Sequence, residues 1–493
     1  MTTEAPPRPP EDAPPHDAPS PEPRAGRAVS VDVVVTGGLA IVAVAMLAYA
    51  LADVTAAPLL AASLLAFAAS LYLGVFTSPA WLISIGLVMT MFSGNSTEIG
   101  LPISPDRIFV AAGLASLALK LPGAVRERAI VWRPLHAILA TAAAIGVVSA
   151  VAVGTFATEE GFFALLDRLG LVPFIVFTLA PLIYGRAKDR NVLLVVLVGT
   201  GVYLGITAVL EGTHNGAFVW PRYIDDPSYG THYGRARGPF AQPSAMGMAL
   251  YGCAVASAVA AFTWETLRSR RFAGSVMVLC LVGTIFTLTR SNWLATAVAT
   301  TVALVASDRT RRILLPIALT CVVVLIAALT FISGFADNVS ERQSDVKPLW
   351  DRYNTNRAAL AMVKDRPLTG IGWQSFEAKA ADYMHVADAY PLTGLGIPVH
   401  NVPLSHAAEL GIIGAGVWLA GLALAIGGAI LRPGPKPLDP WRLAMLALFI
   451  HWAVTASFVP LGYAFPNLLL WLWAGVCVIE HTSRRLTPAE MAA

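Results

Sequence analysis

Apolar runs of about twenty residues recur along the chain, and they constrain its fold more than any other feature. A helix rising 1.5 Å per residue needs roughly 20 apolar residues to cross a ~30 Å hydrocarbon core, and in lipid every backbone polar group must be paired within the protein. Runs at about 31–52, 57–76, 80–94, 107–121, 134–154, 168–185, 190–210, 243–263, 273–289, 291–307, 312–332, 402–430, 441–459 and 463–481 predict an all-α polytopic membrane protein. Allowing for one pair of short spans near 57–94, it has about 12–14 transmembrane helices. Charged residues make up 13% of the chain, against about 25% in soluble proteins. The stretch 273–307 is apolar except for Arg290-Ser291-Asn292. As one helix it would be about 52 Å long, so it divides into a tight hairpin with Arg290 at the turn. Cys253, Cys280, Cys321 and Cys477 all fall in apolar runs and read as small buried hydrophobes.

Four regions follow from this pattern. Residues 1–29, rich in Pro, Ala and acidic residues, predict a disordered tail without the features of a cleavable signal peptide. Residues 30–189 hold N-terminal spans, 190–432 the core with its long loops, and 433–493 the last spans and a short tail. Basic residues mark every second loop: Arg126, Arg128 and Arg133; Arg186, Lys188 and Arg190; Arg268, Arg270 and Arg271; Arg309, Arg311 and Arg312; Arg432, Lys436 and Arg442; Arg484 and Arg485. The positive-inside rule then places both termini in the cytoplasm and the loops 211–242 and 333–401 outside, with the partly helical longer loop preceding the last three spans. The net charge of +3 serves this topology and calls for no nucleic-acid partner.

Four stretches on the outer side carry groups able to do chemistry. In Tyr233-Gly234-Arg235-Ala236-Arg237-Gly238-Pro239-Phe240, two arginines stand before a helix that Pro243 opens, beside glycines that allow close backbone approach. This is a possible phosphate seat, or a pair of snorkelling interfacial arginines. Arg290, in Thr289-Arg290-Ser291-Asn292-Trp293, is costly in a membrane hairpin unless it faces a polar cavity, a partner or the interface. In the stretch 353–373, Asn354 or Thr355 would cap a short helix ended by Pro367, with Gly370 and Gly372 shaping the next turn. Arg357 would then lie in the first helical turn, where a cation is disfavoured unless an anion or Asp351 is near. The fourth stretch opens with His400-Asn401 and runs through His406 and Glu409 to Gly411 and Gly414. A His at a membrane surface, with an ordinary pKa near 6.5, can take a proton from a hydroxyl, or it can simply be satisfied by backbone. Arginines converging on one His suggest an anionic diphosphate held while a hydroxyl is deprotonated. The acidic pair Asp225-Asp226 is the alternative, as a metal site, but no spaced His or Glu stands beside it.

These stretches, in this order, resemble the bacterial O-antigen ligase and O-antigen polymerase family. Its ligase motif corresponds here to His400-Asn401 followed by Gly411 and Gly414, and the Arg-Gly-Pro-Phe, Thr-Arg-Ser-Asn-Trp and Asp365-to-Gly372 stretches look like its other recurrent segments. The resemblance covers roughly residues 190–430. It implies an inverting, metal-independent and cofactor-free glycosyltransferase at the outer face of the cytoplasmic membrane. The donor would be an undecaprenyl-diphosphate-linked glycan, and the acceptor a glycan or lipid hydroxyl. Carried onto this chain, His400 would be the general base, and Arg237, Arg290 and Arg357 would hold the diphosphate. Arg235, Asn401, Gly370, Gly372 and Glu409 would line the substrate site, Glu409 as a candidate to orient His406 or close the site. Ligase and polymerase differ only in acceptor, and the residues do not separate them. The alternative, a transporter or flippase of lipid-linked polysaccharide precursors, should show internal repeats, and none is seen.

Overall fold

The computed structural model describes residues 72–101, 104–120, 133–306, 346–384, 396–432 and 436–478, with isolated positions elsewhere. The predicted span 31–52, most of 57–76 and of 312–332, and Cys321 lie outside the described residues. The architecture is all-α. In chain order the helices are α1 (Pro79–Met89), α2 (Pro105–Lys120), α3 (Pro134–Val153), α4 (Glu159–Ala164), α5 (Leu171–Ile183), α6 (Ala187–Gly212) and α7 (Pro243–Thr263). They continue with α8 (Leu267–Phe286), α9 (Arg290–Val305), α10 (Lys347–Asp365), α11 (Phe376–Tyr383), α12 (Val402–Leu431), α13 (Asp439–Ala456) and α14 (Ala464–Cys477). The single strand pairing among the described residues is antiparallel, Ala28–Val29 against Ile130–Val131. Six spans among the described residues are long and apolar enough to cross a bilayer: α3, the continuous segment Glu159–Ile183, α6, α7, α8 and α12.

Local chemistry explains the boundaries. α3, α7 and α13 start with proline in the first turn, where its missing N–H costs nothing. The span expected from 168 begins instead at Glu159. Thr158 caps it by accepting from Gly161 N (3.2 Å), and Glu159 and Glu160 sit favourably at the positive end of the helix dipole. A π-helical turn at Leu165–Leu169 joins α4 to α5. The predicted hairpin is present, with the break at Thr287–Thr289 and Arg290 as the first residue of α9.

α7 is the most buried of the long helices and packs on α6, α8 and α13. Asn292 of α9 lies over Gly247 and donates to Ser244 O (3.1 Å), locking the start of α9 onto the first turn of α7. α14 is buried along its whole length, Trp471 against Phe174 and Trp473 donating to Trp441 O (2.9 Å). Cys253, Cys280 and Cys477 are buried free thiols in this core. At one end of the bundle, α10 and α11 build a small apolar core of their own. Ala358, Ala359, Met362, Ile371 and Phe376 pack there with Val399 and with Ala408 of α12.

Candidate functional site

α12 carries the site's imidazole at its threshold. His400 is half-buried, and its Nδ1 is 2.9 Å from Pro398 O, which fits the tautomer that donates from Nδ1 and leaves Nε2 as acceptor. Asn401 is the N-cap of α12, its side chain accepting from Leu404 N (3.0 Å). Burial holds the His400 imidazole below its ordinary pKa, and the neighbouring Arg352 pushes the same way; the Pro398 bond and Asp351 oppose them.

α10 packs against the chain on either side of His400, and Arg352, five residues before Arg357, is the α10 arginine whose charge bears on that imidazole; Arg290 bears in turn on Arg352, and Asp351 opposes both effects. The Arg352 guanidinium lies 5.8 Å from the Phe458 ring, and its buried Nε has no hydrogen-bond partner among the described residues. Arg290 is exposed at the N-terminus of α9, an end that favours anions. The Arg235–Arg237 loop reaches the same turn, because Ala236 N donates to Phe286 O (3.0 Å) just before it.

The other expected residues sit differently. α10 starts at Lys347, with Pro348 in its first turn, rather than at Asn354 or Thr355, which are buried within it. Arg357 is therefore mid-helix, and the expectation that it suffers the helix dipole is corrected. Five residues turn a helix by about 140° beyond a full circle, so Arg357 faces away from Arg352. It is exposed and donates to Tyr353 Oη (3.2 Å). Arg237 is fully buried, with Nε and Nη2 donating to Ile224 O (3.3 and 2.9 Å), Nη2 to Asp226 O (2.5 Å) and Nη1 to Tyr229 O. It ties down the loop 221–230 from within, while Glu211 receives the backbone N–H groups of Arg237 and Gly238 (3.1 and 2.9 Å). Asp225 accepts from Tyr233 Oη (3.2 Å), and Asp226 from Ser228 N and Oγ (2.8 and 2.7 Å).

Gly370 and Gly372 join two parts of the molecule. Gly411 interrupts α12 with φ 70° and ψ 176°, a region open essentially to glycine alone. The segment 367–372 crosses this break: Ile371 N donates to Ala408 O (2.9 Å), Gly372 N to Glu409 O (3.0 Å), and Ile412 N to Pro367 O (2.8 Å). A Cβ on Gly370 would overlap the Glu409 carbonyl, one on Gly411 would overlap Leu368 O, and one on Gly372 would meet Val153 of α3. Gly414 lets Ile145 of α3 approach.

Glu409 is buried and paired with Arg168 of the π turn (Nη2–Oε2 3.3 Å). Arg168 also donates to Ser405 Oγ (2.5 Å) and to Gln374 Oε1, and lies 5.1 Å from the Trp373 ring centroid. Its neighbour Asp167 points the other way, to a two-pronged pair with Arg107 of α2 (3.0 and 2.5 Å). His406 is buried against Trp373 and Trp418, with Nδ1 3.0 Å from Val402 O.

Sequence reasoning missed Arg352 and Arg168. Pro348 is a helix-start signal that would have placed Arg352 inside α10. Asp167-Arg168 within an apolar run is the kind of charge pair that marks a partner inside the protein.

The fold is that of a multi-pass membrane protein, with His400 and the arginines of α9 and α10 at one end of its helical bundle. A family model described as O-antigen ligase matches residues 275–419, from α8 into α12, and includes Arg290, Arg352, Arg357, His400 and Glu409. By that match the segment from α8 into α12 is similar to the O-antigen ligase family, as its motifs suggested. No curated protein matches the chain.

Proposed function

We propose that this chain transfers a glycan from an undecaprenyl-diphosphate carrier to an acceptor hydroxyl at the outer face of the cytoplasmic membrane. The observation that carries the reading is that α10 packs on the chain around His400, where the charge of Arg352 bears on the imidazole and that of Arg290 bears on Arg352. A guanidinium fork matches diphosphate oxygens, and the buried Nε of Arg352 has no hydrogen-bond partner among the described residues. In the reaction, the acceptor oxygen attacks the anomeric carbon as the bond from that carbon to the diphosphate oxygen breaks, inverting the centre. His400 Nε2 takes the hydroxyl proton, and the diphosphate leaves with one more negative charge, which Arg290, Arg352 and the N-terminus of α9 stabilise. In this reading Arg352 takes the place expected for Arg357. Arg235 borders the seat, and Arg237 shapes the loop that carries it.

The orientation is supported by charge. Arg133, Arg186, Lys188, Arg190, Arg268, Arg270, Arg271, Arg432, Lys436 and Arg442 all lie at the helix ends away from His400, and basic ends face the cytoplasm. The test is to incubate the purified protein with an undecaprenyl-diphosphate-linked glycan and a hydroxyl acceptor. Release of undecaprenyl diphosphate with glycan appearing on the acceptor, undiminished by a chelator, is the expected result. Donor that crosses a bilayer without being consumed would overturn the proposal in favour of transport.

A further inference from the structure

A cleft of about 690 Å³ opens between α7, α8, α9 and α13, at the end of the bundle opposite His400. Chain direction fixes that end. α7 and α9 both start beside the site and run away from it, and Ala303 lies about 20 Å along α9 from Arg290 at 1.5 Å per residue. The walls are apolar, among them Ala258, Phe262, Leu281 and Ala303, and the Tyr251 and Thr300 hydroxyls face each other within it (3.3 Å). Lys436, Asp439 and Arg442 border it where α13 begins, so the rim carries two cations and one carboxylate. Lys436 is exposed.

We propose that this cleft binds an anionic phospholipid of the inner leaflet, its phosphate at Lys436 and Arg442 and a hydrocarbon chain along the wall from Phe262 to Leu281. Three observations select that occupant. The volume lies within the roughly 300–1,000 Å³ of small-molecule sites. Its walls are hydrocarbon at membrane depth, which suits a chain rather than a soluble metabolite. The rim has a cationic excess at the boundary where a lipid phosphate sits, and basic pockets between helices on the cytoplasmic side are suited to anionic headgroups. The leaflet assignment rests on the orientation proposed above, but the binding itself is read without turnover, so it fails or stands apart from the transfer reaction.

The test uses the full chain in detergent micelles and spin-labelled phosphatidylglycerol, with phosphatidylcholine of the same chains as the comparison. A preference for phosphatidylglycerol of about fivefold is expected, because the two rim cations less the Asp439 carboxylate leave one net positive charge. Lys436→Gln, at an exposed position, should bring the two lipids to near equality, and Lys436→Gln with Arg442→Gln should turn the preference against phosphatidylglycerol. Ala303→Trp, which fills the wall, should weaken both lipids while leaving their ratio. Equal binding of the two lipids, or an unchanged preference in Lys436→Gln, would overturn the proposal. Displacement by inorganic phosphate as effective as by lipid would overturn the role of the chain. Farnesyl phosphate binding more tightly than phosphatidylglycerol would overturn the phospholipid assignment in favour of a polyprenyl phosphate.

Discussion

Replacing Arg352 and Arg357 separately distinguishes the geometry of the site from the pattern of the sequence. The charge of Arg352 bears on His400, that of Arg290 bears on Arg352, and the buried Nε of Arg352 lacks a hydrogen-bond partner among the described residues. A guanidinium that closes on a diphosphate gains one or two charge-assisted hydrogen bonds, about 1.5–3 kcal/mol each. Arg352→Ala should therefore lower kcat/KM for glycan transfer by roughly 10–150-fold per bond lost. It should also move the acid limb of the pH profile upward, because Arg352 is one of the groups holding the His400 imidazole down. Arg352→Lys keeps the charge, so the limb should stay while the fork's contribution is lost. Arg357 is exposed and donates to Tyr353 Oη, one turn before it, at 3.2 Å. Contacts of that kind contribute about 0–1 kcal/mol, so Arg357→Ala should stay within about fivefold of wild type. The assay is transfer from a radiolabelled lipid-linked donor, with membrane levels of each variant measured alongside. Near-wild-type transfer by Arg352→Ala together with its loss in Arg357→Ala would refute the argument and restore Arg357 to the diphosphate.

Three further outcomes follow from the same geometry. His400→Ala should reduce turnover about 10²–10⁴-fold while donor binding persists; wild-type activity should fall only as pH drops below the ordinary imidazole value near 6.5, since burial and Arg352 both favour the neutral, proton-accepting form. Gly411→Ala should destabilise the protein by about 1–3 kcal/mol from backbone strain alone, before the overlap with Leu368 O is added, read as a lower thermal midpoint in detergent, whereas Gly416→Ala, with open space at its Cβ, should be silent. Arg168→Met leaves the Glu409 carboxylate buried and unpaired and should cost about 3–5 kcal/mol, with Arg168→Met plus Glu409→Gln recovering part of it in a double-mutant cycle.

The spans were legible because hydrocarbon admits so few structures. Runs such as 243–263 and 402–430 became α7 and α12 within a residue or so. The break before Arg290 was legible from length alone. Charged side chains were harder, because their value depends on what the fold brings opposite them. Arg237 and Arg290 look alike in the sequence, yet one has its guanidinium filled by backbone carbonyls and the other stands exposed at a helix start. Reading α10 as capped at Asn354 or Thr355, eight or nine residues after its N-cap Val346, left Arg352 outside the helix and passed over it. Gly370 and Gly372 were legible as turn glycines, but their partners, Glu409 and Val153, are distant in the chain.

Those glycines also explain how His400 is held. The break at Gly411 separates the first turns of α12 from the rest of that helix, so helical continuity with the bundle does not fix them. They are fixed from outside instead, by the 367–372 segment on the carbonyls of Ala408 and Glu409 and by Arg168 on Ser405 and Glu409. The same segment continues into Trp373, whose backbone N–H donates to Ser149 Oγ of α3 (3.0 Å) and whose carbonyl accepts from Thr155 (2.8 Å). His400 is thus referenced to α3 and to the π turn, while Arg290 is referenced to α7 through Asn292. The distance between the proposed base and the proposed anion seat is then a property of how α3 and α7 pack within the bundle. A substitution in Pro367–Gly372 can shift it without touching either group, and a displacement of about 1 Å is enough to cost on the order of 10²-fold in rate.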